Sequence, residues 1–255
     1  MSEASNSTSE APAIIADQLS LSGTEGLVYR PTTFEIPATG MSAIVGRTGS
    51  GRTALAITLA GRMVPGNGYL NVLGHEVYGS EEDEQSSRER RKALKNIRTQ
   101  AAIAGVEQID LLDRDLRLKA ILTEHRAWSA PWFSWQPAAD EEYFEEIARP
   151  VFGDDELPPL DAYVSEIRGV EKHMLRIALA LRPVHNTEVK LLVVDDIEQV
   201  HELNDRMLLL ERFAEIAQSI PVVLTAANPV PEEFIAKERQ IDLRNDKNAM
   251  TDEEA

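Results

Sequence analysis

Residues 46 to 53 read Gly-Arg-Thr-Gly-Ser-Gly-Arg-Thr, and they have the spacing of a loop that binds phosphate groups. The three glycines would let the main chain approach phosphate oxygens with its N–H groups turned inward at a helix start. A plain glycine-rich structural turn is the alternative. The hydroxyl of Thr53 would hold Mg²⁺. The predicted nucleotide-binding residues are Gly46, Arg47, Thr48, Gly49, Ser50, Gly51, Arg52 and Thr53.

Arg52 is the departure within this loop, because the motif normally carries a lysine at that position. The positive charge is kept, so nucleotide binding need not be lost. The guanidinium is planar, forked and longer than an ammonium, and it cannot sit as a compact charge between the β- and γ-phosphates. We therefore expect weaker binding, or an altered geometry at the γ-phosphate.

A second acidic motif follows an apolar run later in the chain. Residues 190 to 194 read Lys-Leu-Leu-Val-Val and lead directly into Asp195 and Asp196. An apolar strand that delivers a carboxylate to its tip is the usual second motif of such nucleotide sites, with Asp195 holding Mg²⁺ and Asp196 beside the attacking water. The alternative is that both acids only cap the next turn.

The elements around these motifs predict an α/β fold. Apolar or alternating segments indicate strands, at residues 19–22, 33–36, 41–45, 69–72, 190–195 and 220–225. Helical periodicity follows at residues 52–63, 171–181 and 205–218. Strands that alternate with helices form a parallel sheet covered on both faces, and the two earliest strands alternate like an antiparallel edge.

The section after residue 108 is helical, polar and broken by prolines, with few strand signals. We interpret residues from about 109 to 182 as a helical subdomain inserted into the α/β core. One domain then spans residues 13–244, between an N-terminus (1–12) and an acidic tail (245–255) that are both expected to be disordered.

Composition narrows the functional classes. The 255 residues carry a formal net charge of −17, which argues against nucleic acid as a main partner. No cysteine is present, so disulfides and thiolate chemistry are absent, and neither a secretory signal nor a bilayer-spanning apolar run is visible. We expect a cytoplasmic protein whose connection with a membrane comes through a partner.

One short segment is basic despite this charge. We favour a solvated amphipathic helix for it, and a contact with lipid headgroups or RNA stays open as the alternative. Its cations are Arg88, Arg90, Arg91, Lys92, Lys95 and Arg98.

A third motif, residues 164 to 183, resembles the signature segment of the ATP-binding cassette (ABC) ATPases, in which a Leu-Ser-Gly-Gly-Gln core opens a helix. Ser165 and Gly169 are in register, whereas Arg168, Val170 and Glu171 stand at the serine, second glycine and glutamine of that core. Gln108 resembles the glutamine of the family's Q-loop. The resemblance covers roughly residues 15 to 243.

This resemblance implies a P-loop NTPase fold of the ABC type, with ATP and Mg²⁺ as cofactors. It assigns Mg²⁺ to Thr53, Gln108 and Asp195, and catalytic roles to Gln108 and Asp196.

The family has glutamate where Asp196 stands, so the base here is one methylene shorter. Alanine replaces the switch histidine after the last core strand, at residues 224–228. No adenine-stacking aromatic is obvious, although Tyr29 lies near. We expect slow hydrolysis or none.

The same resemblance implies an ATP-binding subunit of a membrane transport complex, peripheral at the inner face of the membrane through an integral permease. It also implies a homo- or heterodimer of cassettes. The alternatives are a non-catalytic protein that keeps the cassette fold as a nucleotide sensor or as a scaffold, and an ATPase whose replacements compensate one another. A cluster of four aromatic side chains is a candidate anchor for the permease, or else forms a small hydrophobic core within the helical subdomain. Its members are Trp128, Trp132, Phe133 and Trp135.

Overall fold

The computed structural model describes residues 11–80, 85–106, 109–131, 133–182 and 187–243. Most of the expected N-terminal and C-terminal disordered segments, together with Gln108 and Trp132, therefore lie outside the described residues. Within those ranges, none of the helices has the length and apolar character needed to cross a membrane.

Four strands form an antiparallel sheet: β1 Ile14–Gly23, β2 Gly26–Ile36, β4 Asn67–Val72 and β5 His75–Tyr78. Their spatial order is β2-β1-β4-β5. Strands β1 and β2 form a hairpin whose register slips at several positions, including between Ala16 and Leu19. Strands β1 and β2 are the antiparallel edge that the sequence predicted. Strand β4 was predicted as a strand but not as part of this sheet, and β5 was not predicted.

Five strands form a parallel sheet in the order β6-β7-β8-β3-β9. Their bounds are β3 Met41–Val45, β6 Ala101–Ala104, β7 Leu191–Val194, β8 Val222–Ala226 and β9 Gln240–Asp242. Every residue of β3, β6, β7 and β8 is buried, as expected for parallel strands that helices cover on both faces. The mixed α/β architecture inferred from the sequence is confirmed.

Six α-helices and the short 3₁₀ helices Ile197–Gln199 and Lys237–Arg239 are present among the described residues. The α-helices are α1 Arg52–Leu59, α2 Ser87–Gln100, α3 Leu118–Ser129, α4 Glu141–Phe152, α5 Gly169–Leu181 and α6 Leu203–Ile216. Helix α1 ends four residues before the predicted Met63, because Gly61 adopts φ +68° and begins a turn. Helix α2 contains the basic segment, and it buries Leu94 and Ile97 while most of its cations are exposed.

The described residues between 109 and 182 contain α3, α4 and α5, and a single isolated β-bridge joins Arg117 to Tyr163. Helix α4 begins at a side-chain cap, where Asp140 Oδ1 accepts a hydrogen bond from Tyr143 N at 3.0 Å. Its apolar face joins one hydrophobic cluster with α5, α6 and the parallel sheet, and the second cluster lies between the two sheets and α1.

Two leucines before and within α3 give a direct test of this packing. Leu122 is fully buried and Leu111 is largely exposed. We expect Leu122→Ala to lower the free energy of unfolding by about 2–5 kcal/mol, through lost burial and a residual cavity. The matched control Leu111→Ala is expected to change it by less than about 0.5 kcal/mol. Urea titration of the three proteins measures both values, and equal effects would contradict the fold in this region.

Candidate nucleotide-binding site

The glycine-rich loop lies where β3 ends and α1 begins, at the carboxyl edge of the parallel sheet. Gly46 N donates to Ala226 O at 3.1 Å, so the start of the loop is tied to the neighbouring strand β8. Ser50 N donates to Arg47 O at 3.0 Å and closes the turn before the helix. The main-chain N–H groups of the first turn of α1 therefore open onto the loop, which favours an anion there.

Gly51 fixes how this loop meets the antiparallel sheet. Its φ is +88°, and a Cβ added to it would collide with Val28 O and lie 2.7 Å from Tyr29 Cβ. Only a glycine allows β2 and the loop to approach this closely. The loop conformation consequently depends on both sheets.

Two side-chain atoms in the loop are buried without a hydrogen-bond partner among the described residues. They are Arg52 Nη1 and Ser50 Oγ. A buried guanidinium nitrogen without an acceptor is costly, and an anionic oxygen would satisfy it. The loop therefore fits a bound phosphate group, with Arg52 supplying the charge.

Thr53 and Asp195 are brought together from distant parts of the chain. Thr53 Oγ1 donates to Asp195 Oδ2 at 2.7 Å, and Thr225 Oγ1 donates to Asp195 Oδ1 at 2.6 Å. The carboxylate is buried, and the Thr53 side chain is at the surface. Mg²⁺ prefers oxygen ligands and keeps several waters and phosphate oxygens, so this pair fits one edge of a magnesium site.

Asp196 follows in a strained conformation. Its backbone is left-handed, with φ 50° and ψ 71°, and its N–H donates to Thr225 Oγ1 at 2.8 Å. Asp196 lines the same cavity of about 550 Å³ as Thr48, Arg52 and Thr53. A non-glycine residue in this region costs free energy and is typical of functional sites.

A second part of the lining of this cavity was not predicted from the sequence. It is aliphatic, and its residues are Leu27, Val28, Ile57 and Met63. Tyr29 is buried, its hydroxyl donates to Thr58 Oγ1 at 3.3 Å, and burial raises its pKa to about 12. The apolar pair that precedes Tyr29 at the exposed hairpin was the available signal for this part of the lining.

The signature residues do not share the cavity of the glycine-rich loop. Arg168 and Glu171 line a separate groove of about 450 Å³. Arg168 Nε donates to Glu171 Oε1 at 2.9 Å, and Arg168 N donates to Glu171 Oε2 at 2.8 Å, which caps the start of α5. Ser165 and Gly169 are exposed, whereas Val170 is fully buried in the core.

The loop that leads from β6 toward Gln108 is described on both sides of that residue. Gly105 N donates to Asp110 Oδ2 at 2.6 Å, and Asp195 N donates to Ala104 O at 2.8 Å. Burial raises the pKa of Asp110, while the Gly105 N–H and the charge of Arg176 oppose the rise. The segment before Gln108 is thus held next to Asp195, although Gln108 itself lies outside the described residues.

His173 is a further residue near the site that the sequence did not indicate. It lies on α5 in the electrostatic environment of Arg176 and Asp196. Burial and the charge of Arg176 lower its pKa from 6.5 to about 4, although Asp196 acts in the opposite direction. The folded protein consequently keeps this imidazole neutral at physiological pH.

Fold and site together define a P-loop nucleotide-binding domain: a glycine-rich loop between a central parallel strand and a helix, with an acid-tipped strand close by. A family model described as ABC transporter matches residues 29–197, which is more than half of the chain. The chain therefore belongs to the ABC transporter family.

Solved structures agree with this fold. An ATP-bound bacterial Atm1-family ABC exporter is 16% identical with TM-score 0.60, and the match covers 89% of this chain but only 37% of the exporter. The cbiO1 protein of Clostridium perfringens, part of the complex cbiONQ, is 16% identical with TM-score 0.62, over 86% of this chain and 80% of its own. An ATP-binding subunit of an ABC transporter is 19% identical with TM-score 0.57, over 84% and 79%. No curated protein matches the chain.

The environment of His173 predicts a pH dependence. The pKa of His173 is lowered from 6.5 to about 4 in the folded protein. Between pH 6.5 and pH 4, the imidazole is therefore protonated in the unfolded chain and neutral in the folded protein. Wild type should therefore lose stability relative to His173→Gln as the pH falls from about 6.5 to about 4, by on the order of 1–2 kcal/mol after solvent screening. Urea unfolding of both proteins across this range measures the difference, and parallel pH profiles would contradict it.

Proposed function

We propose that this chain is the ATP-binding subunit of an ABC-type membrane transport complex, with ATP hydrolysis that is weak or serves regulation. The contact between Thr53 Oγ1 and Asp195 Oδ2, at 2.7 Å, carries the proposal, together with Arg52 Nη1, which is buried without a hydrogen-bond partner among the described residues. These are the hydroxyl, the carboxylate and the cation that a magnesium–triphosphate complex needs. Gln108 remains part of the proposed metal set.

In this proposal the residues Gly46 to Thr53 surround the phosphates, and Thr53 and Asp195 hold Mg²⁺. The metal would neutralise charge on the phosphate oxygens. The base would rest on the aliphatic wall that contains Leu27 and Val28. Aliphatic side chains offer contact area without the directional stacking of an aromatic ring, so we expect little discrimination between purine bases.

Weak hydrolysis follows from the groups that would act on the attacking water. Asp196 is one methylene shorter than glutamate, and alanine stands where the family has histidine after the last core strand, within residues 224–228. Positioned charge supplies most of the acceleration in phosphoryl transfer, and such groups act as a unit. A site that binds the nucleotide and hydrolyses it slowly is therefore the favoured working state.

The proposed assembly is a dimer of cassettes beneath a permease, at the inner face of the membrane. Ser165, Arg168 and Gly169 are exposed and do not line the phosphate cavity of their own chain, which suits residues that face another subunit. Arg168 is already paired with Glu171, so its charge would reach a facing phosphate only if that pair opened.

The proposed contact with the permease is the aromatic group at the end of α3. Trp128, Phe133 and Trp135 are 74%, 76% and 87% exposed. Rings with this exposure add little to a hydrophobic core, which weakens the alternative that they form a small core within the helical subdomain. Large exposed apolar side chains in one short segment are typical of interaction sites.

Arg52 is the first target for testing nucleotide binding. We expect Arg52→Ala to weaken Mg-ATP affinity by roughly 10–100-fold, the worth of a charge-assisted hydrogen bond. Arg52→Lys should bind at least as tightly as wild type, because a compact ammonium fits the loop. Isothermal titration calorimetry with Mg-ATP measures all three affinities.

The control for this series is Arg88→Ala, which removes an exposed arginine on α2 and should leave the affinity unchanged. Phosphate release from the same samples reports hydrolysis separately. Wild type without saturable Mg-ATP binding would overturn the nucleotide proposal and favour the scaffold. Rapid hydrolysis abolished by Asp195→Asn would instead favour the compensated ATPase.

The aromatic group is tested by membrane association. We expect the double variant Trp128→Ala/Trp135→Ala to co-purify with solubilised membranes at least about tenfold less than wild type, since aromatic anchors dominate interface energetics. Its Mg-ATP affinity and melting temperature should be unchanged.

Trp128→Phe/Trp135→Phe keeps large rings at both positions and should retain most of the association. A large drop in the melting temperature of the alanine variant would show that the rings belong to a core. Association at the wild-type level in a folded alanine variant would remove the proposed contact.

A further inference from the structure

A 3₁₀ turn, Ile197–Gln199, directly follows Asp195 and Asp196 at the carboxyl edge of the parallel sheet. Strand β7 lies between β6 and β8 in this sheet, and β8 lies next to β3. The loops that follow these strands consequently stand side by side, with the glycine-rich loop at one end. The side chains of the turn reach the loops on both sides.

Glu198 reaches the loop after β8. Its Oε1 accepts hydrogen bonds from Ala227 N at 2.7 Å and from Asn228 N at 3.1 Å. These two N–H groups thus have a carboxylate partner instead of water. Ala226, the preceding residue, accepts the hydrogen bond from Gly46 N, so Glu198 holds a segment that directly supports the start of the glycine-rich loop.

Gln199 reaches the loop after β6. Its Nε2 donates to Gly105 O at 2.6 Å, while Gly105 N donates to Asp110 Oδ2. Its Oε1 lies 3.5 Å from Arg176 Nη1 on α5. Both polar groups of the Gly105 main chain are therefore fixed, one by the 3₁₀ turn and one by the segment beyond residue 108.

We infer that Glu198 and Gln199 are positioning residues of the nucleotide site, which hold the loops after β8 and β6 in register with Asp195 and Asp196. Glu198 acts on main-chain N–H groups, so it fixes the loop after β8 whatever side chain stands at position 227. Alanine there leaves this support intact. The inference rests on the proposed binding of Mg-ATP and adds two residues to it.

Amide hydrogen exchange at Ala227 and Asn228, followed by NMR without nucleotide, tests Glu198 directly. Glu198→Ala removes the acceptor, and we expect both amides to exchange about tenfold faster or more, as for a lost hydrogen bond to a charged group. Glu198→Gln keeps one acceptor oxygen and should exchange within about threefold of wild type. Glu202→Ala, which removes an exposed glutamate just beyond the turn, is the matched control. In this variant the amides of Ala227 and Asn228 should exchange at the wild-type rate.

Glu198→Asp covers the case in which the alanine variant does not fold. Its carboxylate is one methylene shorter and should also release the two amides. Unchanged exchange at residues 227 and 228 in a folded Glu198→Ala or Glu198→Asp protein overturns the role of Glu198.

Mg-ATP titration tests the effect on the site. We expect about three- to tenfold weaker affinity in Glu198→Ala and in Gln199→Glu, which loses the Nε2 donor, and recovery of wild-type affinity in Glu198→Gln. Wild-type affinity in Gln199→Glu overturns the role of Gln199, and wild-type affinity in a folded Glu198→Ala overturns that of Glu198. Absence of Mg-ATP binding in wild type itself overturns the proposed function and with it the positioning role, while the exchange data still report the hydrogen bonds.

Discussion

The Asp195 carboxylate joins three elements, and the arrangement of the whole site depends on it. Thr53 at the start of α1 and Thr225 in β8 each donate to one of its oxygens, at 2.7 and 2.6 Å. A buried carboxylate is tolerated only when its oxygens have partners. The two hydroxyls therefore fix the glycine-rich loop, the acid-tipped strand and the neighbouring strand relative to one another.

This arrangement also explains why a changed loop can keep its shape. The conformation of the loop is determined by Gly51 against β2, by Gly46 against β8 and by Thr53 against Asp195, and none of these contacts involves the side chain of Arg52. A substitution at position 52 alters the charge presented to a ligand while the main chain stays in place. Substitutions in this fold can therefore change nucleotide binding or catalysis while the main chain of the loop keeps its conformation.

The sequence predicted those parts of the fold that local patterns determine. Continuous apolar runs located β3, β7 and β8, and glycine spacing located the loop between β3 and α1. Strand β6 was not predicted, because Ala101–Ala104 is mostly alanine, which is depleted in strands. Strand β5 was also missed, since its four residues are too few for a clear alternation.

Within the site, the contacts that could not be predicted join residues that are far apart in the sequence. Glu198 meets Ala227 across 29 residues, and Gln199 meets Gly105 across 94, so no window around the turn contains their partners. The lowered pKa of His173 likewise arises from burial in the folded state. Such features follow from the packing of distant segments, and a local pattern carries no information about them.

The exposed rings near the end of α3 have a consequence for the subunit on its own. Trp128 and Trp135 present apolar area to water, and a protein that bears such area tends to self-associate. The net charge of −17 opposes this tendency by mutual repulsion, which salt screens. The solubility of isolated copies should therefore fall as the ionic strength rises.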